Sequence, residues 1–393
     1  MGKKKSFVLG ILIGMAIMLG ISFGISPLRS YMLWGSQLPP EAKILEIYSI
    51  LNAHSIVPFE RNVLLDNMYR GLLEGVGDPY TYYFNRDALA VFTERTEGVY
   101  AGIGMLVTLD LEDNRVTVVT VFAGSPAEEA GLLPGDKILE VDGESMVDKR
   151  LEEVTALVKG TPGTQVRLGI LRSSDTFDII ITRQRINVPT VNHRMIENGI
   201  GYLRIESFER VTYNQFVEAY LDLRNQGVQG LIIDLRNNPG GLLETVVDIG
   251  NLLLPSGSIL YSENKQGERT VYKSNDNRRI DLPMVILVNG GSASASEVLT
   301  GAVRDHEVGT VVGQQTFGKG VVQSLYMLSD GSAVKVTIAT YYTPNGISIH
   351  GEGITPDYII EVDRETAMMA ARLTLEEDVQ LQKAVEVMEG KLR

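Results

Sequence analysis

Along residues 41–51 (EAKILEIYSIL) apolar side chains fall at 44, 45, 47, 48, 50 and 51, close to the helical repeat. A second stripe, Val63, Leu64, Met68 and Leu72, predicts a helix over 60–73, which Gly75, Gly77, Asp78 and Pro79 end. Tyr80, Tyr82, Tyr83 and Phe84 follow as a small aromatic cluster. These stripes suit packing on another domain or on a second subunit, and nothing in this stretch offers chemistry. From 98 to 172 the pattern shortens to strands and turns. Val116–Val121 alternates, Ser125-Pro126 opens a short helix, and Gly131-Leu-Leu-Pro-Gly-Asp136 is a tight turn. Lys137–Val141 reads as a strand with Asp142-Gly143 as its hairpin turn, Leu151–Val158 as an amphipathic helix, and Val166–Leu171 as a strand. From 187 strands and helices alternate: strand Ile200–Ile205, helix Tyr213–Asn225, strand Leu231–Leu235, helix Leu242–Leu254, strand Met284–Val288, helix Ser294–Val303. That alternation predicts an α/β layered domain. Strands Val308–Val312, Val321–Met327 and Ala333–Tyr342 come next, and Arg364–Arg393 carries Leu and Met at helical spacing among charges.

Composition narrows the function. The 49 acidic side chains outnumber 36 basic ones for a formal net charge of -13, and no basic stripe is interleaved with aromatics. An acidic body repels nucleic acid, so nucleic-acid binding is excluded. The chain has no cysteine, which removes thiol nucleophiles, cysteine-based zinc sites and disulfides together. Lys3-Lys4-Lys5 precedes Phe7–Ile25, a run of 19 uncharged, mostly apolar residues. A core helix of that length would show a polar face, whereas this one is near the length that spans a bilayer, with its lysines cytoplasmic. No Ala-x-Ala-like cleavage site follows it. The expectation is an uncleaved, single-pass anchor in a bacterial cell membrane, with the body outside the cytoplasm.

The candidate chemistry centres on 287–297 (LVNGGSASASE), where an apolar strand runs into Asn-Gly-Gly, three alternating serines and a helix. A serine at a strand-to-helix corner presents its hydroxyl where N–H groups and the helix dipole favour negative charge. Ser294-x-x-Glu297 also spells a capping box, by itself the commoner meaning. Four histidines could supply a base: His54, His193 after a Pro-Thr-Val-Asn loop, His306 in a solvated-looking turn, and His350. There is no Gly-x-Ser-x-Gly elbow and no His-Glu-x-x-His motif. The other base is Lys319, framed by Phe317 and two glycines beside an apolar strand. Burial lowers a lysine's pKa and yields a neutral amine able to deprotonate serine. If 319, 321 and 323 share one strand face, Gln323 can hold that amine. A solvent-facing lysine on a glycine-rich turn is the alternative, and at this level both stay open.

Two resemblances bear on the choice. Gly102-Ile103-Gly104-Met105 together with 125–136 (SPAEEAGLLPGD) resembles a PDZ domain. The N–H groups of Ile103, Gly104 and Met105 would form a nest for a terminal carboxylate while the peptide adds as a strand. Gly290–Glu297, Thr316–Gln323, Asp234–Gly241, 341–346 (YYTPNG) and 353–357 (GITPD) together resemble the carboxyl-terminal processing peptidases, or tail-specific proteases. Gly77-Asp-Pro-Tyr80 is similar to a piece of that family's N-terminal region, and His350 stands where a polar amide is more usual.

The resemblance implies a serine–lysine pair with Ser294 as nucleophile, Lys319 as base and Gln323 as orienting amide. Ser292 and Ser296 are neighbours in the same turn, so a shift by two positions is the competing assignment. For the oxyanion, donors about 3 Å from the developing charge are needed. Ala295 N–H and the Gly240/Gly241 turn are the candidates. The expected organisation is a membrane anchor over 1–27, a helical N-terminal region over 28–97, a PDZ domain over 98–185, an α/β serine protease core over 186–362 and a helical tail over 363–393. The expected protein is a multi-domain α/β serine endopeptidase that takes extracytoplasmic substrates by apolar C-terminal tails, needs no metal or other cofactor, and pairs as a homodimer through its terminal helices. The rivals are a non-catalytic PDZ scaffold on a dead protease fold and a histidine-assisted hydrolase.

Overall fold

The structure is a computed structural model that describes residues 39–393. The expected anchor over Phe7–Ile25 lies outside the described residues; among those described, no helix is long and apolar enough to cross a membrane. The described residues divide into two compact units, one ending at Tyr69 and the other spanning Arg70–Arg393. In the first, the helix Pro40–His54 starts with proline, whose missing N–H is no loss in a first turn. Tyr48 meets Phe59 edge-on with ring centroids 6.2 Å apart, and the Arg61 guanidinium lies over the same Tyr48 ring. The predicted apolar stripe of this helix is uncovered: Ile44, Leu45, Ile47 and Ile50 are all exposed.

In the second unit the strand–helix alternation closes into a six-stranded sheet. Its order is Val191–Ile196, Ile200–Ile205, Gly230–Asp234, Met284–Val288, Gly309–Gly313, Tyr358–Ile359. Every neighbouring pair is parallel except the first. Parallel strands joined by helical crossovers are buried on both faces, which is why Met284–Val288 reads as an unbroken apolar run. Met284, Ile286 and Val288 join the cluster that contains Phe216, Val246, Ile249 and Leu299 from the helices Thr212–Asn225, Leu243–Leu253 and Ala295–Asp305. Val285 and Leu287 join Leu381, Ala384 and Met388 of the C-terminal helix Val379–Leu392. Leu203, Ile233, Ile286 and Val311 stand in register across four strands. In open α/β sheets the carboxyl ends of the strands form the ligand side. The loops that follow Asp234 and Val288 leave from the carboxyl ends of two neighbouring parallel strands.

A second sheet holds Tyr82–Phe84, Ala333–Tyr342, Gly257–Asn264 and Arg269–Ser274 in that order, with Val321–Met327 also paired to Ala333–Tyr342. The third is antiparallel: Met105–Asp110, Arg115–Val121, Lys137–Val141, Gln165–Arg172 and Asp175–Thr182 in order, with Glu144–Ser145 beside Lys137–Val141. The helix Leu151–Val158 covers its core with Val154 and Val158. Asp142 and Gly143 take φ of 52° and 83°, the positive values a two-residue hairpin of this hand requires. Among the described strands Met105–Asp110 is an edge, paired only to Arg115–Val121. Two stretches differ from expectation. Tyr82–Phe84 is a paired strand rather than a loose cluster, and Val191–Ile196 is the antiparallel edge of the core sheet, with His193 opposite Leu203. Edge strands carry polar side chains outward, so Asn192, His193 and Arg194 left no apolar run to read.

Candidate active site

The three serines are separated by their surroundings. Ser292 is fully buried, donates to Leu235 O at 2.8 Å and accepts Asn289 N–H at 3.0 Å. Ser296, equally buried, donates to Asn238 O at 2.9 Å. Both hydroxyls are thereby engaged in stitching the 289–296 turn to the loop after Asp234. Ser294 lies between them, only partly buried, with φ 56° and ψ −114°. A serine held at positive φ outside the helical region costs on the order of 1–3 kcal/mol, and its neighbours must over-determine it. They do: Asn289 Oδ1 accepts Asn237 N–H and Gly291 N–H at 2.8 and 3.0 Å, and Ala293 N–H donates to Asn238 O at 3.0 Å.

The loop after Asp234 is anchored from beneath. Arg236 is buried and donates to Asp234 Oδ2 at 2.7 Å and to Asp378 Oδ2 at 2.8 Å, and Tyr202 Oη donates to Asp234 Oδ2 at 2.6 Å. Asp378 also caps the C-terminal helix by accepting Leu381 N–H at 3.0 Å. Buried charges persist only when paired in this way. Burial pushes the Asp234 carboxyl up, but Arg236, Arg204 and the Tyr202 hydroxyl together outweigh it and hold Asp234 below the usual carboxylate range. The loop then delivers Gly240 against the serine turn. A Cβ on Gly240, at φ 99°, would lie 2.8 Å from Ser294 Cβ and 2.9 Å from Ala295 N. Glycine here keeps open the space in front of the Ala295 N–H, which as the first helical residue has no partner a turn earlier. Of the three expected oxyanion donors, Gly240 N–H is already engaged with Asn238 Oδ1 at 2.8 Å. Its contribution is therefore an open face rather than a donor.

Glu297 joins the two halves of the site. Its fully buried carboxylate accepts Ser294 N–H at 2.8 Å and Lys319 N–H at 2.9 Å on Oε2, and Thr316 Oγ1 at 2.6 Å and Gly318 N–H at 2.7 Å on Oε1. One oxygen thus holds the backbones of both Ser294 and Lys319. Tyr341, buried behind them, donates to Lys319 O, and its phenol stands beside the Ser294 side chain. Lys319 is half-buried, its Nζ 4.8 Å from the centroid of the Tyr80 ring. Burial and then the positive charge of Lys335 lower its pKa, against the weaker pull of Asp78 and Glu297. The segment expected to carry no chemistry therefore abuts the lysine: Asp78 accepts from Thr81 Oγ1 at 2.6 Å and from Tyr80 N–H at 3.0 Å, which sets the ring of Tyr80 in place.

Gln323 departs from expectation. Lys319 and Gly320 precede the strand Val321–Met327, so the strand alternation that would put 319 and 323 on one face does not extend to Lys319. The Gln323 amide donates instead to Val321 O at 3.2 Å. His193 pairs with Asp222 at 2.9 Å, and His306 is half-buried rather than solvated, bonded to Ser258 O at 2.7 Å. Neither touches the serine turn.

The loop Gly102–Met105 is set by the other quoted motif. Ser125 Oγ donates to Gly104 O at 3.0 Å, Ala127 N–H donates to Ile103 O at 2.8 Å, and a Cβ on Gly104 (φ 90°) would collide with Ser125. The loop sits at the start of the open edge strand Met105–Asp110, with Ile103 in the core beside Val154 and Val158.

A family model described as peptidase family S41 matches residues 199–360, and a PDZ-domain model matches 117–172. The carboxyl-terminal-processing protease of Synechocystis sp. is 38% identical over 325 residues, 81% of this chain and 75% of that protein. The chain belongs to peptidase family S41. The carboxy-terminal processing protease CtpA of Bacillus subtilis is 35% identical over 322 residues, 81% of this chain and 69% of that one. A solved structure of a putative S41 protease from Bacteroides fragilis shares the fold at 16% identity, with a TM-score of 0.52 over 82% of this chain and 90% of that one. As a member of this family the protein is a serine-type peptidase of the carboxyl-terminal processing kind that carries a PDZ domain. Within this S41 fold, sequence reasoning missed Glu297 as a clamp, having read it as a capping residue. The signal was present: an acid in the first turn of a helix, followed directly by Val298 and Leu299, has to find donors beyond its own helix if it is buried.

Proposed function

We propose that this S41 peptidase is held at a bacterial membrane by Phe7–Ile25 with its body outside the cytoplasm. There it takes protein substrates by their C-terminal tails at Gly102–Met105 and cuts them with Ser294 and Lys319. The observation that carries the reading is the shared Glu297 oxygen, which makes Ser294 and Lys319 neighbours although 25 positions separate them. Ser294 is also the partly exposed serine of the three, its neighbours being engaged.

In this mechanism neutral Lys319 takes the Ser294 hydroxyl proton as Oγ attacks the scissile carbonyl carbon. The resulting ammonium passes that proton to the leaving amine, and an acyl-serine remains for water to hydrolyse. The Ala295 N–H, with Gly241 N–H across the gap kept by Gly240, receives the developing oxyanion. Gln323 is assigned to orient the lysine amine, which requires its amide to leave Val321 O. Burial of Lys319 supports the role, since it favours the neutral amine the first step needs.

The test is cleavage of an unstructured reporter protein with an apolar C-terminal tail, with a chelator present throughout. Ser294→Ala and Lys319→Ala are each expected to lose about 10⁴-fold or more in kcat, as removal of an interdependent nucleophile or base does. Unchanged melting temperatures would show that both variants fold. Cleavage by all three proteins alike would sink the assignment.

A further inference from the structure

The tail-binding loop is not vacant, because the ring of Tyr100 lies across it. A Cβ on Gly102 would be 2.6 Å from Tyr100 Cε2 and 3.8 Å from Cζ, so the loop's first glycine is the floor on which the ring rests. The phenol faces the N–H groups of Gly104 and Met105, two of the three donors of the nest. Lys159, the residue after the helix Leu151–Val158, places Nζ 5.1 Å from the Tyr100 centroid and is itself paired with Glu94 at 2.5 Å. Glu94 belongs to the helix Arg86–Glu97, and Gly160 N–H donates to Ala101 O at 3.3 Å, so the ring is walled by two helical segments. The edge of Met105–Asp110 is left unpaired by any described strand. Only the carboxylate end of the groove is covered.

We propose that Tyr100 is an internal occupant of the tail site, and that a terminal carboxylate binds by displacing its phenol. This rests on the tail-binding reading above. The chemistry sets a threshold. A phenol oxygen accepts N–H groups as a neutral acceptor, while a carboxylate makes the stronger, charge-assisted bonds. A free C-terminus therefore wins the nest, and an internal segment or an amidated end, which offers only neutral oxygens, gains little by exchanging with the phenol. Tyr100 in this role is a specificity-determining residue that raises the demand for a true chain end.

The experiment measures binding of a fluorescent peptide with an apolar tail, as free acid and as C-terminal amide, to the full chain in detergent. Ser294→Ala is present throughout so that the peptide survives. The variable is Tyr100→Phe, which keeps the ring on Gly102 and removes only the oxygen. The expected result is a preference for the acid in the parent protein and about fivefold tighter acid binding in Tyr100→Phe, the effect of removing one competing hydrogen-bonded group. Unchanged acid affinity with the acid preference intact overturns the displacement model and leaves tail binding standing. Weaker acid binding overturns it too, since Tyr100 would then be helping to hold the carboxylate. Equal binding of acid and amide by both proteins removes the tail-binding reading itself, and the inference with it.

Discussion

Lys159 and Lys319 each rest on a tyrosine ring, and their circumstances are opposite. Lys159 Nζ lies 5.1 Å from the Tyr100 centroid with Glu94 at 2.5 Å, so its charge has a counterion as well as a π-face. Lys319 Nζ lies 4.8 Å from the Tyr80 centroid, yet the two acids that attract it are committed elsewhere. Asp78 accepts from Thr81 and Tyr80, Glu297 holds four other donors, and the nearby Lys335 opposes the ammonium. The same two residue types thus make an ion-paired lysine near the Gly102–Met105 loop and a lysine of lowered pKa beside Ser294. The glycines differ in parallel. Gly240 keeps the space before Ala295 N–H clear, while Gly102 is the seat of a side chain that fills its niche.

Adding one methyl group to each glycine tests that contrast. In Gly240→Ala the new Cβ falls 2.8 Å from Ser294 Cβ and 2.9 Å from Ala295 N, at a φ of 99° that alanine resists. Blocking an oxyanion donor lowers kcat by about 10²–10³-fold. Steady-state kinetics on the tailed reporter should give that loss with KM little changed. A kcat near wild type would remove Ala295 N–H from the mechanism. Gly102→Ala works in the other direction, because its Cβ meets a movable ring rather than backbone, 2.6 Å from Tyr100 Cε2. The ring must swing away, and KM is expected to fall roughly threefold, within the worth of one hydrogen bond, with kcat unchanged. A rise in KM would mean that the methyl group itself obstructs the niche, and the two glycines would no longer differ in kind.

Much of this is legible in the amino-acid sequence. Met284–Val288 is apolar at every position because both faces of a parallel strand are covered, and Asp142-Gly143 demands a hairpin through positive φ. The residues around Ser294 and Lys319 could be gathered by motif. What joins them could not, because the Glu297 carboxylate acts across 19 to 22 positions on one hydroxyl and two backbone N–H groups that leave no mark on composition. In the sequence Asp78 reads as the end of a helix and Tyr80 as part of an aromatic cluster for the same reason: Lys319, which they face, lies some 240 positions on. The strand face expected for Gln323 failed because the strand begins only at Val321, after Lys319, a boundary that alternation does not fix. Local periodicity writes the elements, whereas long-range hydrogen bonds write the site.

Lys335 offers the finest adjustment of the comparison, since it gives Lys319 a repelling neighbour where Lys159 has an attracting one. Its ammonium stands 5.7 and 5.5 Å from the centroids of Phe84 and Phe92, and burial lowers its own pKa against the pull of Asp78. Lys335→Met keeps the apolar stem against those rings and deletes the charge. In the proposed mechanism Lys319 is neutral when it takes the serine proton, so activity is expected to rise with pH through its pKa. That pKa lies below the ordinary lysine value because of burial first and Lys335 second. Removing the second cause lets the ammonium persist to higher pH. The rising limb of kcat/KM should therefore move to higher pH in Lys335→Met, with a lower rate at neutrality and the same plateau in alkali. A plateau that falls would indicate a steric role for Lys335, and a limb that stays in place would mean the titrating base is not Lys319.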